Sequence, residues 1–182
     1  MTGIYCVIFN LLANAFCYPS NENTSDKFFY AINALARDLG FDTFDEKIDQ
    51  ELLKEHYTRL FINNPFCETA PLYASFYSSK DNLLMQGARD EAKAFYQRAA
   101  LEPRFEKEPE DFLPTELYFI AELVKKGDVK LLVEFLHHII GWFPEFKKRL
   151  QGLNPHPYYS ILAEITLVIL NNLYQEVINE KA

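Results

Sequence analysis

The stretch LPTELYFIAELVKKGDVKLLVEFLHHII, residues 113–140, decides the fold. Leu113, Leu117, Ile120 and Val124 recur at helical spacing, the period of an α-helix laid against a core. Pro114 falls in the first turn, where its missing N–H is tolerated. Gly127-Asp128 makes a tight joint: glycine ends one helix and aspartate caps the next. Val129, Leu132, Leu136 and Ile140 then repeat the apolar stripe, and a break is expected around Gly141 to Pro144.

Outward from this pair the same period continues. Ile4, Ile8, Leu11 and Ala15 form one stripe, and Tyr5, Phe9, Leu12 and Phe16 a second. Two adjacent stripes predict a first helix buried over much of its circumference. Ala13-Asn14-Ala15 has a signal-peptidase form, but no basic residue precedes the apolar run, so a buried helix is expected instead of a leader. Phe28, Ile32, Leu35 and Leu39 mark a second helix ending at Gly40. Thr43 and Glu46 have capping-box spacing and predict a third helix start, with Leu53, Tyr57, Leu60 and Phe61 as its inner face. Residues 63–87 are irregular and aromatic. Helix resumes near Ala88, with Ala92, Phe95 and Ala99 inward, and a proline-bearing loop spans Glu102 to Asp111. Pro155 and Pro157 open a last helix carrying Tyr158, Leu162, Ile165, Ile169 and Leu173. No segment alternates polar and apolar residues over a strand's length. The expectation is one all-α domain over residues 1–182, a bundle of about eight or nine helices with a possible hinge at 102–111.

Composition narrows function. Of the 182 residues 49% are hydrophobic and 24% charged, which excludes a disordered chain. Only 6 glycines are present, and no phosphate-binding loop motif occurs. The net charge of −8 disfavours nucleic acid and anionic membrane faces and favours basic partners. No stable membrane insertion is expected. Cys6, Cys17 and Cys67 are odd in number and lack metal spacing, so they read as reduced thiols of a cytoplasmic protein. Glu134 and His137 make one E-x-x-H pair, whereas a di-iron bundle needs two. No metal and no cofactor are expected. A small helical enzyme would have to use Cys67 or Glu134/His137.

The informative feature is an acidic stretch beside an aromatic loop. Glu102, Glu106, Glu108, Glu110, Asp111 and Glu116 face only Arg104 and Lys107, and Pro103 and Pro109 stiffen the segment. A solvated loop leading into an acid-rich helix start would look like this. So would a docking site for a peptide basic at one end and apolar beyond, with acids steering and aromatics supplying area.

Three segments resemble the TorD/DmsD-type chaperones of molybdenum oxidoreductases and their nitrate reductase assembly (NarJ-type) relatives. They are Tyr57 to Pro65, like Y-x-x-L-F-x-G-P; Pro71 to Tyr77, like P-x-W-E-S-V-Y; and Glu108 to Leu117, like E-P-x-D-H-x-x-x-E-L. Phe135 to Trp142 is similar to the family's F-L-x-x-H-x-x-x-W. The chain departs from these patterns at Asn64, at Tyr73-Ala74 and at Phe112, which marks a divergent branch. The resemblance implies a cytoplasmic chaperone without enzymatic activity. It implies binding of the twin-arginine signal peptide of a molybdopterin oxidoreductase catalytic subunit and help with cofactor insertion before export. A NarJ-type role for a non-exported subunit is the alternative. By this likeness Tyr73, Phe76, Tyr77, Glu108, Pro109, Glu110, Asp111 and Glu116 are the expected peptide-binding residues. The resemblance also allows a monomer or a domain-swapped dimer.

Overall fold

The computed structural model describes residues 2–45, 47–65, 68–78 and 87–179. In chain order these hold α1 (Thr2–Ala15), α2 (Asp26–Asp38), α3 (Gln50–Tyr57) continued by a π turn (Thr58–Ile62), α4 (Ala74–Ser78), α5 (Gly87–Ala99), α6 (Leu113–Lys126), α7 (Val129–Gly152) and α8 (Pro157–Asn179). The all-α expectation is met: among the described residues the sole β feature is an isolated antiparallel bridge between Tyr73 and Phe112.

Helix α6 is the axis of the bundle. It packs against α1, α5 and α7, while α8 lies along α7 and also meets α1 and α2. Every residue from Asp111 to Ala121 is buried, so α6 has no polar face in its first two turns. Its ends follow the sequence signals. Pro114 stands in the first turn, Gly127 closes the helix at φ 71°, and the Asp128 side chain accepts from Leu131 N at 3.1 Å. Helix α8 is long and apolar enough to cross a membrane by length and composition. Here Tyr158, Tyr159, Leu162, Ile165, Ile169 and Leu173 are spent on the protein core.

Four local expectations are corrected. First, α1 is buried on one side only: Phe9, Leu12, Ala13 and Phe16 are fully covered, whereas Ile4 and Val7 are 62% and 65% exposed. Second, the buried face of α2 is Phe29, Ile32, Asn33 and Ala36, rotated from the stripe read in sequence. Third, no helix starts at Thr43, while Glu46 lies outside the described residues. Asn33 Nδ2 donates to the Phe44 carbonyl at 2.9 Å and Asn33 Oδ1 accepts from Phe44 N at 3.1 Å. That clamp ties the segment to α2 without helix while Phe44 enters an aromatic cluster with Phe29 and Tyr158. Asp49 supplies the actual cap of α3, accepting from Glu51 N. Fourth, α7 runs unbroken through Pro144. An interior proline costs about 3 kcal/mol, but Trp142, Phe143 and Phe146 around it are buried. Truncating one such aromatic costs about 3–5 kcal/mol, so tertiary packing overrides the local break.

Candidate functional site

A groove of about 360 Å³ opens where three parts of the chain converge. The segment just after α1 contributes Cys17 and Tyr18, and α3 with its π turn contributes Tyr57, Phe61 and Ile62. Leu72 and Tyr73 form the approach to α4, and the strap between α5 and α6 closes the rest with Phe105, Glu108 and Phe112. Two of its rim residues, Tyr18 and Ile62, are 49% and 60% exposed, so apolar surface faces solvent at the mouth.

The strap is fastened to α4 by backbone and side chain together. Leu113 N donates to the Leu72 carbonyl at 2.8 Å, and Ala74 N donates to the Asp111 carbonyl at 3.1 Å. The Asp111 carboxylate then accepts from Ser75 N at 2.8 Å. Asp111 therefore serves the start of α4 and not that of its own helix, whose N-terminal residue Phe112 makes no side-chain cap. Within the strap, Glu108 N donates to the Phe105 carbonyl and Phe112 N to the Pro109 carbonyl, each at 3.1 Å, so the chain turns twice in eight residues.

The eight residues expected at the site separate into four groups. Tyr73 and Glu108 meet in the groove, the phenol donating to Glu108 Oε2 at 2.7 Å while its ring lies 5.4 Å from that of Phe112. Burial and the neighbouring carboxylate push the Tyr73 phenol well above its ordinary range. Pro109 and Glu110 lie on the strap outside the groove. Glu110 pairs with Arg89 Nε at 2.6 Å, and that hydrogen bond holds its carboxyl below the usual range. Phe76 and Tyr77 point to the far side of α4: the Arg149 guanidinium lies 5.0 Å from the Phe76 ring centroid, and Tyr77 stacks on Trp142 at 5.6 Å.

Asp111 and Glu116, the fourth group, have no exposed surface. Burial pushes the Glu116 carboxyl up, and the His138 hydrogen bond at 3.1 Å opposes it. His138 also meets Glu91 at 3.3 Å. Burial alone would lower the imidazole pKa, but the hydrogen bond and charge of Glu116, then of Glu91, raise it above its usual value. Asp111 Oδ1 makes no hydrogen bond.

Sequence reasoning missed Cys17, Tyr18, Tyr57, Phe61, Ile62, Leu72, Phe105 and Phe112 as groove residues. Phe105 is the one large apolar side chain between Glu102 and Glu110, and Phe112 stands where a histidine was expected; both were usable signals. The Cys17 thiol donates to the Ala13 carbonyl at 3.3 Å, and burial pushes its pKa up to about 12 against the pull of Arg104. It stays protonated at neutral pH and is a poor nucleophile. Of the residues considered for catalysis, Cys67 lies outside the described residues. Glu134 binds Arg98 at 2.6 Å, and His137 is exposed beside it.

Residues 21–148 match the family model of the nitrate reductase delta subunit, about two thirds of the chain. The chain belongs to the nitrate reductase delta subunit family. This is the NarJ/TorD-like chaperone family that the motifs resemble. The delta-subunit match takes in Tyr57 to Phe112 of the groove, the strap and α6; Cys17 and Tyr18 lie before it. Among curated proteins none matches this chain. A crystal structure from Archaeoglobus fulgidus, described as that of a candidate redox enzyme maturation protein, is similar over 91% of this chain and 93% of its own. With a TM-score of 0.65 and 24% identity, it shares the fold of this delta-subunit family member.

Proposed function

We propose that this chain is a maturation chaperone that binds the leader or N-terminal segment of a molybdopterin oxidoreductase subunit. It holds that segment in the groove beside the strap while cofactor is inserted, before export. The observation that carries this reading is the groove itself. It is an open aromatic and aliphatic cleft with Glu108 at its edge, on a protein of net charge −8. Apolar walls bury the hydrophobic part of a segment, and acids attract and orient its basic end. Nothing in this role requires bond-making by the chain, so we assign it as a binding protein without catalysis. A protein that meets its client before export acts on the cytoplasmic side.

The family match favours a second form of the same role, in which the client is a nitrate-reductase-like subunit that is not exported. One experiment addresses both. Titration calorimetry would use a synthetic peptide of two consecutive arginines followed by an apolar stretch, and the same peptide with glutamines replacing the arginines. Leader recognition predicts binding that weakens on the replacement and as salt rises. Ile62→Arg, a change at an exposed groove position, should abolish it. Equal affinity for both peptides would point to the non-exported client. No binding of either, with Ile62→Arg indistinguishable from wild type, would remove the groove as the site.

A further inference from the structure

A second cavity, of about 260 Å³, lies on the other side of the strap between α5 and α6. Its walls include the rings of Tyr118 and Phe119, and Glu102 and Glu122 supply its acids. Tyr96 and Thr115 also line it, and each is a buried residue whose hydroxyl makes no hydrogen bond. Aromatic faces, carboxylates and unpaired acceptors together suit a guanidinium or ammonium group.

That cavity already has a cation from the chain itself. Arg104 lines it with its guanidinium carbon 4.0 Å from the Tyr118 ring centroid. Among the described residues this guanidinium makes no ion pair, so the ring is its principal hold. The next residue, Phe105, lines the first groove and packs against Phe112 and Tyr118 at 5.9 and 5.8 Å. Two consecutive strap residues thus reach into two neighbouring cavities, one cationic and one aromatic.

We propose that Arg104-Phe105 is an internal stand-in for the client and that the two cavities are its paired seats. A basic side chain of the client takes the place of Arg104 over Tyr118, and an apolar one takes that of Phe105 in the groove. The strap is displaced when both arrive. A segment with only one of the two features leaves one seat filled and binds less well. This rests on the peptide-binding reading above and adds which client side chain goes where, and what must leave first.

The test measures affinity of the arginine-pair peptide for wild type, Arg104→Ala, Phe105→Ala and Lys107→Ala. Arg104 is exposed and Phe105 partly so, and circular dichroism of each variant verifies the fold. Removing a competing cation–π contact should tighten binding about two- to fivefold in Arg104→Ala. That gain should vanish for the glutamine-substituted peptide. Phe105→Ala should gain only for peptides that keep the apolar stretch. Lys107→Ala removes the same charge from the same strap outside both cavities, and should change affinity less than twofold. If Lys107→Ala gains as much as Arg104→Ala, general charge explains the effect and the stand-in is wrong. Unchanged or weaker binding in Arg104→Ala overturns it while leaving the groove intact. Absence of binding by wild type and all variants removes the peptide-binding reading itself, and this inference with it.

Discussion

The acidic stretch from Glu102 to Glu116 divides into two regions with opposite fates. Up to Glu110 its carboxylates lie at or near the surface, where Glu108 accepts from Tyr73 and Glu110 pairs with Arg89. From Asp111 onward they are sealed in, one fastening α4 and the other holding His138. The same residue types a few positions apart thus line an accessible strap in one half and serve architecture in the other, and the proposed recognition role falls to the first. The difference is whether the backbone is still a strap or has entered a helix with no exposed face.

The sharpest way to break this comparison is at Asp111. Asp111→Ala removes a charged acceptor and leaves Ser75 N–H buried without its partner, so unfolding in urea should show a loss of about 2–3 kcal/mol. Asp111→Asn keeps an acceptor and should lose less than about 1 kcal/mol. Equal losses would mean that charge, and not the cap to α4, is what matters there.

The next effect is a pH dependence. With its pKa raised in the folded state, His138 contributes stability that is complete below the ordinary imidazole value of 6.5. The contribution is lost as pH climbs through the raised value. The raised Glu116 carboxyl has the same sign from its ordinary 4.5 upward. The melting temperature should therefore fall with rising pH across this window, and Glu116→Gln should flatten the curve. A melting temperature that rises over the same window would refute the arrangement.

Smaller still is the surface pair. Arg89→Ala should cost less than about 1 kcal/mol, as exposed ion pairs do. Its contribution is present above 4.5, the ordinary carboxylate value of Glu110, and fades as pH falls through the lowered one. Least of all on stability is Glu108→Gln, within about 0.5 kcal/mol. Its effect belongs to binding: affinity for the arginine-pair peptide should drop about two- to fivefold, with a shallower salt dependence. Should Glu108→Gln unfold the protein while leaving affinity untouched, the two halves of the stretch would have been assigned the wrong way round.

The helical architecture was legible because apolar stripes at 3.6 spacing need no tertiary information. What the stripes miss is what distant residues impose. Nothing near Thr43 announces the Asn33 clamp, and nothing near Pro144 announces that three buried aromatics hold α7 together. The five-residue α4 is too short to show a period and takes its cap from Asp111, 36 positions away from Ser75. At the site, Tyr73 and Glu108 were reachable from motif and charge. Asp111 and Glu116 were read as client contacts because counting acids says nothing about which way they face. A signal was nonetheless available: from Phe112 to Val124 only Glu116 and Glu122 are charged, the mark of a helix covered on all sides.

The π turn at Thr58–Ile62 gives the groove a dependence on helical register. Asn63 N reaches back to the Thr58 carbonyl at 2.9 Å, five residues earlier, so this turn contains one residue more than an α-helix would allow. Each helical residue advances the azimuth by about 100°. Tightening this turn to α-helical spacing with no residue removed would swing Phe61 and Ile62 about a quarter of the way round and off the groove wall. The core contacts of Leu53 and Tyr57, upstream of the change, would keep their places. The position of this groove wall thus depends on one wide turn in the helical register, which a lineage could gain or lose without rebuilding the bundle beneath it.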